Sequence, residues 1–106
     1  MATMFREFSH EDRVIFEVKA EDYNYEQIIQ AIDYICPDEY SEAEITSYYE
    51  CLNFTKDQIE VNFSHVFGSP ELYQFELFPY GSHSVENLSQ LRVWLQVMEQ
   101  YLKQLK

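Results

Sequence analysis

The sequence predicts a single acidic α+β domain (residues 1–106): a mostly antiparallel sheet of four or five strands with two helices packed on one face. Apolar and polar side chains alternate with a period of two, which is typical of strands, at residues 13–20, 59–67 and 72–78. Apolar side chains repeat with helical spacing at residues 25–36 and 85–105. A chain of 106 residues, 46% of them hydrophobic, can bury one core and is too apolar to be disordered.

The first strong element is a strand at residues 13–20, where valine and phenylalanine alternate with glutamate and lysine. A shorter strand at residues 3–8 is expected before it, with residues 9–12 as the turn between the two. These two segments are close enough in sequence to pair as a hairpin.

A helix is predicted next, at residues 25–36. Asn24 can cap its first turn, and Gln27, three positions on, completes a capping box. Pro37 ends the helix, because the residue before a proline is pushed out of the helical conformation.

Residues 41–55 are ambiguous between helix and strand. They begin with a capping-box pattern and contain apolar residues at helical spacing, but many of their residues favour strands. We interpret residues 45–55 as a strand, since the polar break at residues 56–57 would join it to the clear strand at 59–67 by a tight hairpin. A further turn leads to the strand at residues 72–78.

The last element is a long helix at residues 85–105, capped by Ser84. Its apolar arc is broader than packing on one sheet requires, so the excess surface can contact the first helix or, in a homodimer, a second copy of the chain. The outer sheet face is expected to be solvated. It carries Glu17, Lys19, Glu60, Asn62, Ser64, Gln74 and Glu76.

No pattern indicates catalysis, a metal site or a cofactor, so the chain is not expected to be an enzyme. The three histidines lack the spacing of zinc ligands, and His65 falls in the apolar register of its strand, which favours a core histidine. The N-terminus does not resemble a secretory signal, so a cytoplasmic location is expected. Cys36 and Cys51 are then expected to be free thiols.

Charge is the most informative feature of the sequence. The chain has 19 acidic and 7 basic residues, for a net charge of -12, which argues against binding to nucleic acids or to anionic membranes. Residues 20–55 contain nine of the acids, no lysine or arginine, and six of the nine tyrosines. Clustered like charges repel, and tyrosine is enriched at interfaces, so this segment predicts a surface for a basic partner.

The leading hypothesis is therefore a bacterial immunity protein that inhibits a basic, nuclease-like toxin by covering its positive cleft. The alternatives are a DNA-mimic inhibitor of a DNA-binding or phage-defence protein, and a non-inhibitory scaffold subunit that dimerises through residues 85–105. The predicted partner-binding residues lie on the solvent side of the first helix and in the exposed connection after it: Glu26, Gln30, Asp33, Tyr34, Asp38, Glu39, Tyr40, Glu42 and Glu44.

Overall fold

Seven antiparallel strands in one sheet, together with two helices, make up the fold in the computed structural model, which describes residues 4–41, 44–68, 70–81 and 84–105. Along the chain, the elements are β1 (Arg6–His10), β2 (Arg13–Lys19), α1 (Tyr25–Tyr34), β3 (Glu39–Tyr40), β4 (Glu44–Ile45), β5 (Tyr49–Lys56), β6 (Ile59–Val66), β7 (Leu72–Phe78) and α2 (Val85–Lys103). Neither helix of the described residues is long and apolar enough to cross a membrane.

The strands lie in the order β1-β2-β7-β6-β5-β3, and β4 also pairs with β5. β5 therefore has two short neighbours on one side. Its C-terminal half pairs with β3, Tyr40 opposite Phe54, and its N-terminal half pairs with β4, Glu44 opposite Cys51. The sheet thus has one continuous edge, β1, and one interrupted edge, β3 with β4.

The expected count of four or five strands was too low. The connection after α1, predicted as exposed loop, contributes β3 and β4. The backbone N–H groups of Asp38 and Ser41 donate to the carbonyl oxygens of Thr55 and Asn53, at 2.7 and 2.8 Å. Because β5 would otherwise leave these backbone groups unpaired, even a two-residue segment is held against it.

The strand interpretation of residues 41–55 is confirmed for β5, but the expected start at residue 45 was wrong. Thr46 forms a tight turn between β4 and β5, because its hydroxyl accepts from the N–H groups of Tyr48 and Tyr49, each at 3.1 Å. Its own N–H donates to the carbonyl of Tyr49 at 2.8 Å. A threonine side chain that bonds nearby backbone in this way competes with a continuous strand.

Helix α1 begins as predicted. Asn24 accepts from the N–H of Gln27, and the Gln27 side chain accepts from the N–H of Asn24, both at 2.9 Å. The helix ends two residues earlier than expected, since Cys36 adopts a left-handed conformation with φ 58° and donates to the carbonyl of Asp33. α2 is likewise capped by Ser84, which accepts from Asn87.

The buried core joins both helices to the sheet. Phe63 of β6 stacks on Phe75 of β7 with ring centroids 4.9 Å apart, and Ile28 of α1 and Met98 of α2 are fully buried in the same cluster. Tyr34 of α1 stacks on Tyr101 of α2. That both helices pack on one face of the sheet stays a prediction, which their membership of one buried cluster supports.

The other sheet face is less solvated than expected. Glu17, Asn62 and Glu76 are 9%, 8% and 7% exposed. Their neighbours across the strands cover them: Arg13 pairs with Glu76, and Gln74 donates to Glu17. A solvated outer face was therefore the wrong expectation for these three residues.

Candidate functional site

The carboxylates predicted to bind a partner lie where the end of α1 meets the interrupted sheet edge. The hydroxyl of Tyr40 in β3 donates to the carboxylate of Asp33 in α1 and so ties the helix to the edge strand. We call this surface the acidic edge. It consists of Asp33, Tyr34, Asp38, Glu39, Tyr40 and Glu44.

Hydrogen bonds fix two further carboxylates of the acidic edge. Asp38 accepts from the backbone N–H of Asp57 at 2.9 Å, and Glu44 accepts from the hydroxyl of Tyr49 at 3.0 Å. Glu39 is exposed in β3. The partners of Glu39 and Glu44 on β5 are four residues apart, which spaces these two acids by about 13 Å along the edge.

The remaining predicted residues lie beside this surface or outside the described residues. Glu26 and Gln30 are exposed on α1, one helical turn apart and leading toward Tyr34. Tyr34 is 56% exposed, although one face of its ring rests on Tyr101 at 4.8 Å. Glu42 lies outside the described residues.

Two phenols, of Tyr40 in the acidic edge and of Tyr49 in the neighbouring β5, donate hydrogen bonds to carboxylates of this edge without neutralising their charge. Burial and the hydrogen bond to Asp33 raise the pKa of Tyr40, and the hydrogen bond to Glu44 raises the pKa of Tyr49. Both phenols therefore stay protonated and neutral at physiological pH. They orient the carboxylates and leave the negative charges in place.

Arginines neutralise carboxylates elsewhere in the chain. Arg13 forms a bidentate pair with Glu76, at 2.6 and 2.5 Å. Arg92 likewise binds Glu7 with two bonds of 2.8 Å. The third arginine, Arg6, pairs with Glu17. All three arginines of the chain thus pair with glutamates outside residues 20–55.

Within the part of the chain that the structure describes, no lysine or arginine forms a salt bridge with a carboxylate of the acidic edge. Lys56 lies nearby, but its ammonium donates to the carbonyl oxygen of Cys36 at 3.2 Å. Among the described residues, the acidic edge therefore presents its carboxylates without a salt bridge to a lysine or an arginine.

Sequence reasoning missed two exposed apolar side chains next to Glu44. Ile45 and Tyr48 are 72% and 77% exposed, because the Thr46 turn directs both away from the core. The interpretation of residues 45–55 as one continuous strand left no place for this turn. The Thr46-Ser47 pair between two β-favouring stretches was the available signal for it.

His65 is a buried histidine with both ring nitrogens in contact with carboxylates. It is 8% exposed, and its Nδ1 and Nε2 lie 3.1 Å from Glu50 and 2.7 Å from Glu71. Tyr25 stacks on its ring. This arrangement agrees with a core histidine. Among the described residues, no group of three or more histidine, cysteine or acidic side chains is placed to hold a metal ion.

Comparison with known protein-family models and with curated proteins gave no match to this chain.

Proposed function

We propose that this chain is a protein-binding inhibitor of the immunity-protein type, which acts in the bacterial cytoplasm and covers the positive cleft of a basic, nuclease-like toxin. An enzyme that handles a polyanion presents arginine and lysine to it, and carboxylates of the acidic edge would pair with those cations. The acidic field would also steer the two proteins together, with association rates up to about 10⁸ M⁻¹s⁻¹ at low salt.

The observation that carries this proposal is the separation of charge within the fold. The three arginines pair with glutamates on or next to β1 and β2, whereas no described lysine or arginine forms a salt bridge with a carboxylate of the acidic edge. Unpaired like charges raise the energy of a folded chain, and a cationic partner would relieve that repulsion.

Exposed aromatic and aliphatic side chains on the same surface supply contact area. Tyr34 and Tyr40 are 56% and 44% exposed, and Ile45 and Tyr48 extend the apolar area beyond Glu44. Tyrosine is enriched among residues that dominate binding energy, and it loses little rotamer freedom on binding. Carboxylates interleaved with tyrosines therefore suit a tight protein contact.

Affinity capture tests the proposal. The chain, immobilised at low salt, is expected to retain a basic protein whose nuclease activity falls in proportion to added chain, and to lose it steeply as salt rises. The triple variant D33N/E39Q/E44Q should weaken binding by at least about tenfold, since it removes three charges that face the partner. Asn and Gln still accept hydrogen bonds at positions 33 and 44.

The matched control is E11Q/D12N/E86Q, which removes the same number of negative charges at exposed residues outside the acidic edge. It should bind the captured protein within about twofold of the original chain. Equal losses in the two triple variants would mean that only total charge matters. Full retention by the first variant would refute the proposed surface.

The scaffold hypothesis is favoured by one specific feature of α2. Val93 and Val97, one turn apart, are 51% and 37% exposed. If the chain is instead a dimeric scaffold, its mass in solution doubles with concentration and Val93→Asp keeps it monomeric, while the acidic-edge variant changes nothing.

A further inference from the structure

A groove of about 410 Å³ opens on the sheet face opposite the buried core. Its floor comes from three strands, because Asn53, Asn62 and Gln74 each alternate with a core residue of the same strand. Tyr49 and Tyr80 line it as well. Its volume falls within the range of small-molecule sites.

The floor of the groove is a chain of polar side chains already bonded to one another. Ser64 donates to Asn62 at 2.8 Å, Asn62 donates to Asn53 at 2.7 Å, and Asn53 donates to Glu60 at 2.6 Å. Asn62 is only 8% exposed. Each amide is thereby held in one orientation, so the floor is preorganised for a polar ligand.

Two tyrosines form the walls. The hydroxyl of Tyr49 is held by Glu44 at 3.0 Å. Tyr80 follows β7, and its ring is 46% exposed; the guanidinium of Arg13 lies 4.5 Å from the ring centroid. Both rings therefore sit in fixed positions, and the rings of tyrosines attract cations.

The charge of the lining decides which ligand fits. Glu44 is the one formally charged residue among the described residues that line the groove. The nearby Arg13 already donates two hydrogen bonds from its guanidinium to the carboxylate of Glu76. Among the described residues, phosphates and carboxylates would meet no available cation in the groove, which disfavours an anionic ligand. A planar cation would meet a carboxylate, aromatic rings and amide oxygens.

We propose that this groove binds a guanidinium group, that of an arginine side chain presented by the basic partner. The inference rests on the proposed function, because Glu44 belongs to both the acidic edge and the groove, so a partner on the edge can place one arginine into the groove. Guanidinium has five N–H donors in a plane, which match the carboxylate of Glu44 and the amide oxygens, and it stacks on tyrosine rings.

The test uses a small probe and no protein partner. N-acetyl-arginine amide is titrated into the isotope-labelled chain, and the side-chain amide signals of Asn53 and Asn62 are followed by NMR. We expect saturable shifts at these signals, with weaker or unsaturable shifts for N-acetyl-lysine amide, because an ammonium lacks the planar fork. Methyl glucoside, a neutral polyol, and inorganic phosphate should give none.

Variants of the groove and of the acidic edge separate specific binding from general attraction. E44Q keeps an acceptor for Tyr49 and should weaken binding of the arginine probe roughly tenfold, since it removes the charge-assisted hydrogen bond. Tyr80→Ala should weaken binding of the arginine probe several-fold, because the guanidinium loses a ring to stack on. The matched control E86Q removes an equal charge at an exposed residue outside both the groove and the acidic edge and should leave the dissociation constant unchanged.

Three results would overturn the groove proposal: no saturable shift, an equal loss in E86Q and E44Q, or saturation by methyl glucoside instead of the arginine probe. Failure of the proposed function gives a different pattern. Saturation of the groove by the arginine probe, together with no capture of a basic protein, would retain the guanidinium site and reject the inhibitor role.

Discussion

The two edges of the sheet treat their carboxylates in opposite ways. At β1 and the adjoining β2, Glu7 and Glu17 each receive an arginine: Glu17 pairs with Arg6 of the neighbouring strand, and Glu7 pairs with Arg92 of α2. At β3 and β4, Asp33 and Glu44 receive phenol hydroxyls. An arginine cancels the charge of a carboxylate, whereas a neutral phenol only directs it.

The arginines of the chain thus neutralise glutamates on or next to β1 and β2 and none at β3 and β4 among the described residues. An exposed edge strand is open to pairing with other chains, and charge is a common protection against that. Charge on β3 and β4 therefore also protects this edge from pairing with other chains, apart from the proposed attraction of a partner. Only the tyrosines and Ile45 beside it go beyond what protection requires.

The largest effect is expected from Arg13→Leu, which removes the arginine that neutralises Glu76. Glu76 is 7% exposed, so its carboxylate would be left nearly buried without a partner. We expect the free energy of unfolding to fall by up to about 3 kcal/mol, the lower end of the range for broken buried ion pairs, because Glu76 is buried but the side chain of Arg13 is 41% exposed. Urea denaturation followed by far-UV circular dichroism measures it.

The double variant R13L/E76L is the internal control for that loss. Removing both charges leaves no unpaired carboxylate, so most of the stability should return. E39Q, at the opposite edge, should change stability by less than about 0.5 kcal/mol. A similar loss in E39Q and in Arg13→Leu would contradict the distinction between the two edges.

Local patterns in the sequence predicted most elements of the fold. The capping box of Asn24 and Gln27, the cap at Ser84 and the alternation in β6 and β7 depend only on nearby residues, and each is present. β3 and β4 were missed because a two-residue strand is too short to show a period. It exists only because β5 lies beside it.

The features that the sequence did not predict depend on contacts between residues far apart in the chain. The burial of Glu76 depends on Arg13, 63 positions away, and the ring of Tyr34 rests on Tyr101 of the other helix. The same limit applies to the candidate site. Composition indicated an acidic, tyrosine-rich segment, but no local pattern indicated that the arginines pair elsewhere or that Tyr49 holds Glu44 toward the groove.

The stability of the fold at alkaline pH depends on a phenol of the core, Tyr73, and on a phenol of the acidic edge, Tyr40. Burial raises the pKa of Tyr73 from 10.0 to about 12, and its hydroxyl donates to the carbonyl of Tyr23. The folded chain then holds this proton more tightly than the unfolded chain. The resulting stability is fully present below pH 10 and is lost as the pH rises toward 12, by up to about 3 kcal/mol.

Tyr73→Phe should therefore flatten the fall in stability between pH 10 and 12, measured by urea denaturation at each pH. Tyr40→Phe should flatten it too, since the pKa of Tyr40 is also raised, but the loss should be smaller because this ring is 44% exposed. An unchanged slope in Tyr73→Phe would show that its hydroxyl has no part in the alkaline transition.

Salt tests the repulsion within the acidic edge. Raising ionic strength from about 0.01 M to about 1 M shortens the range of charge interactions roughly tenfold, so the original chain should gain stability, on the order of 1 kcal/mol. D33N/E39Q/E44Q should show a smaller gain than E11Q/D12N/E86Q, although their net charges are equal. Equal gains would mean that the repulsion is spread evenly over the surface.

The smallest effect is expected at the exposed pair of Arg92 and Glu7. The hydrogen bond from Arg92 lowers the pKa of Glu7, so the stability from this pair is present above the ordinary value of 4.5 and is lost as the pH falls through the folded value. Both side chains are more than a third exposed, and solvent screening limits the contribution to about 0.5 kcal/mol. Arg92→Gln should therefore be slightly less stable than the original chain at pH 7, and the difference should shrink as the pH falls through the folded pKa of Glu7, measured by urea denaturation over a pH series. A difference that does not change with pH would mean that Arg92 stabilises the fold by packing on Phe16, which its guanidinium faces at 6.0 Å, and that charge neutralisation at this edge contributes nothing measurable.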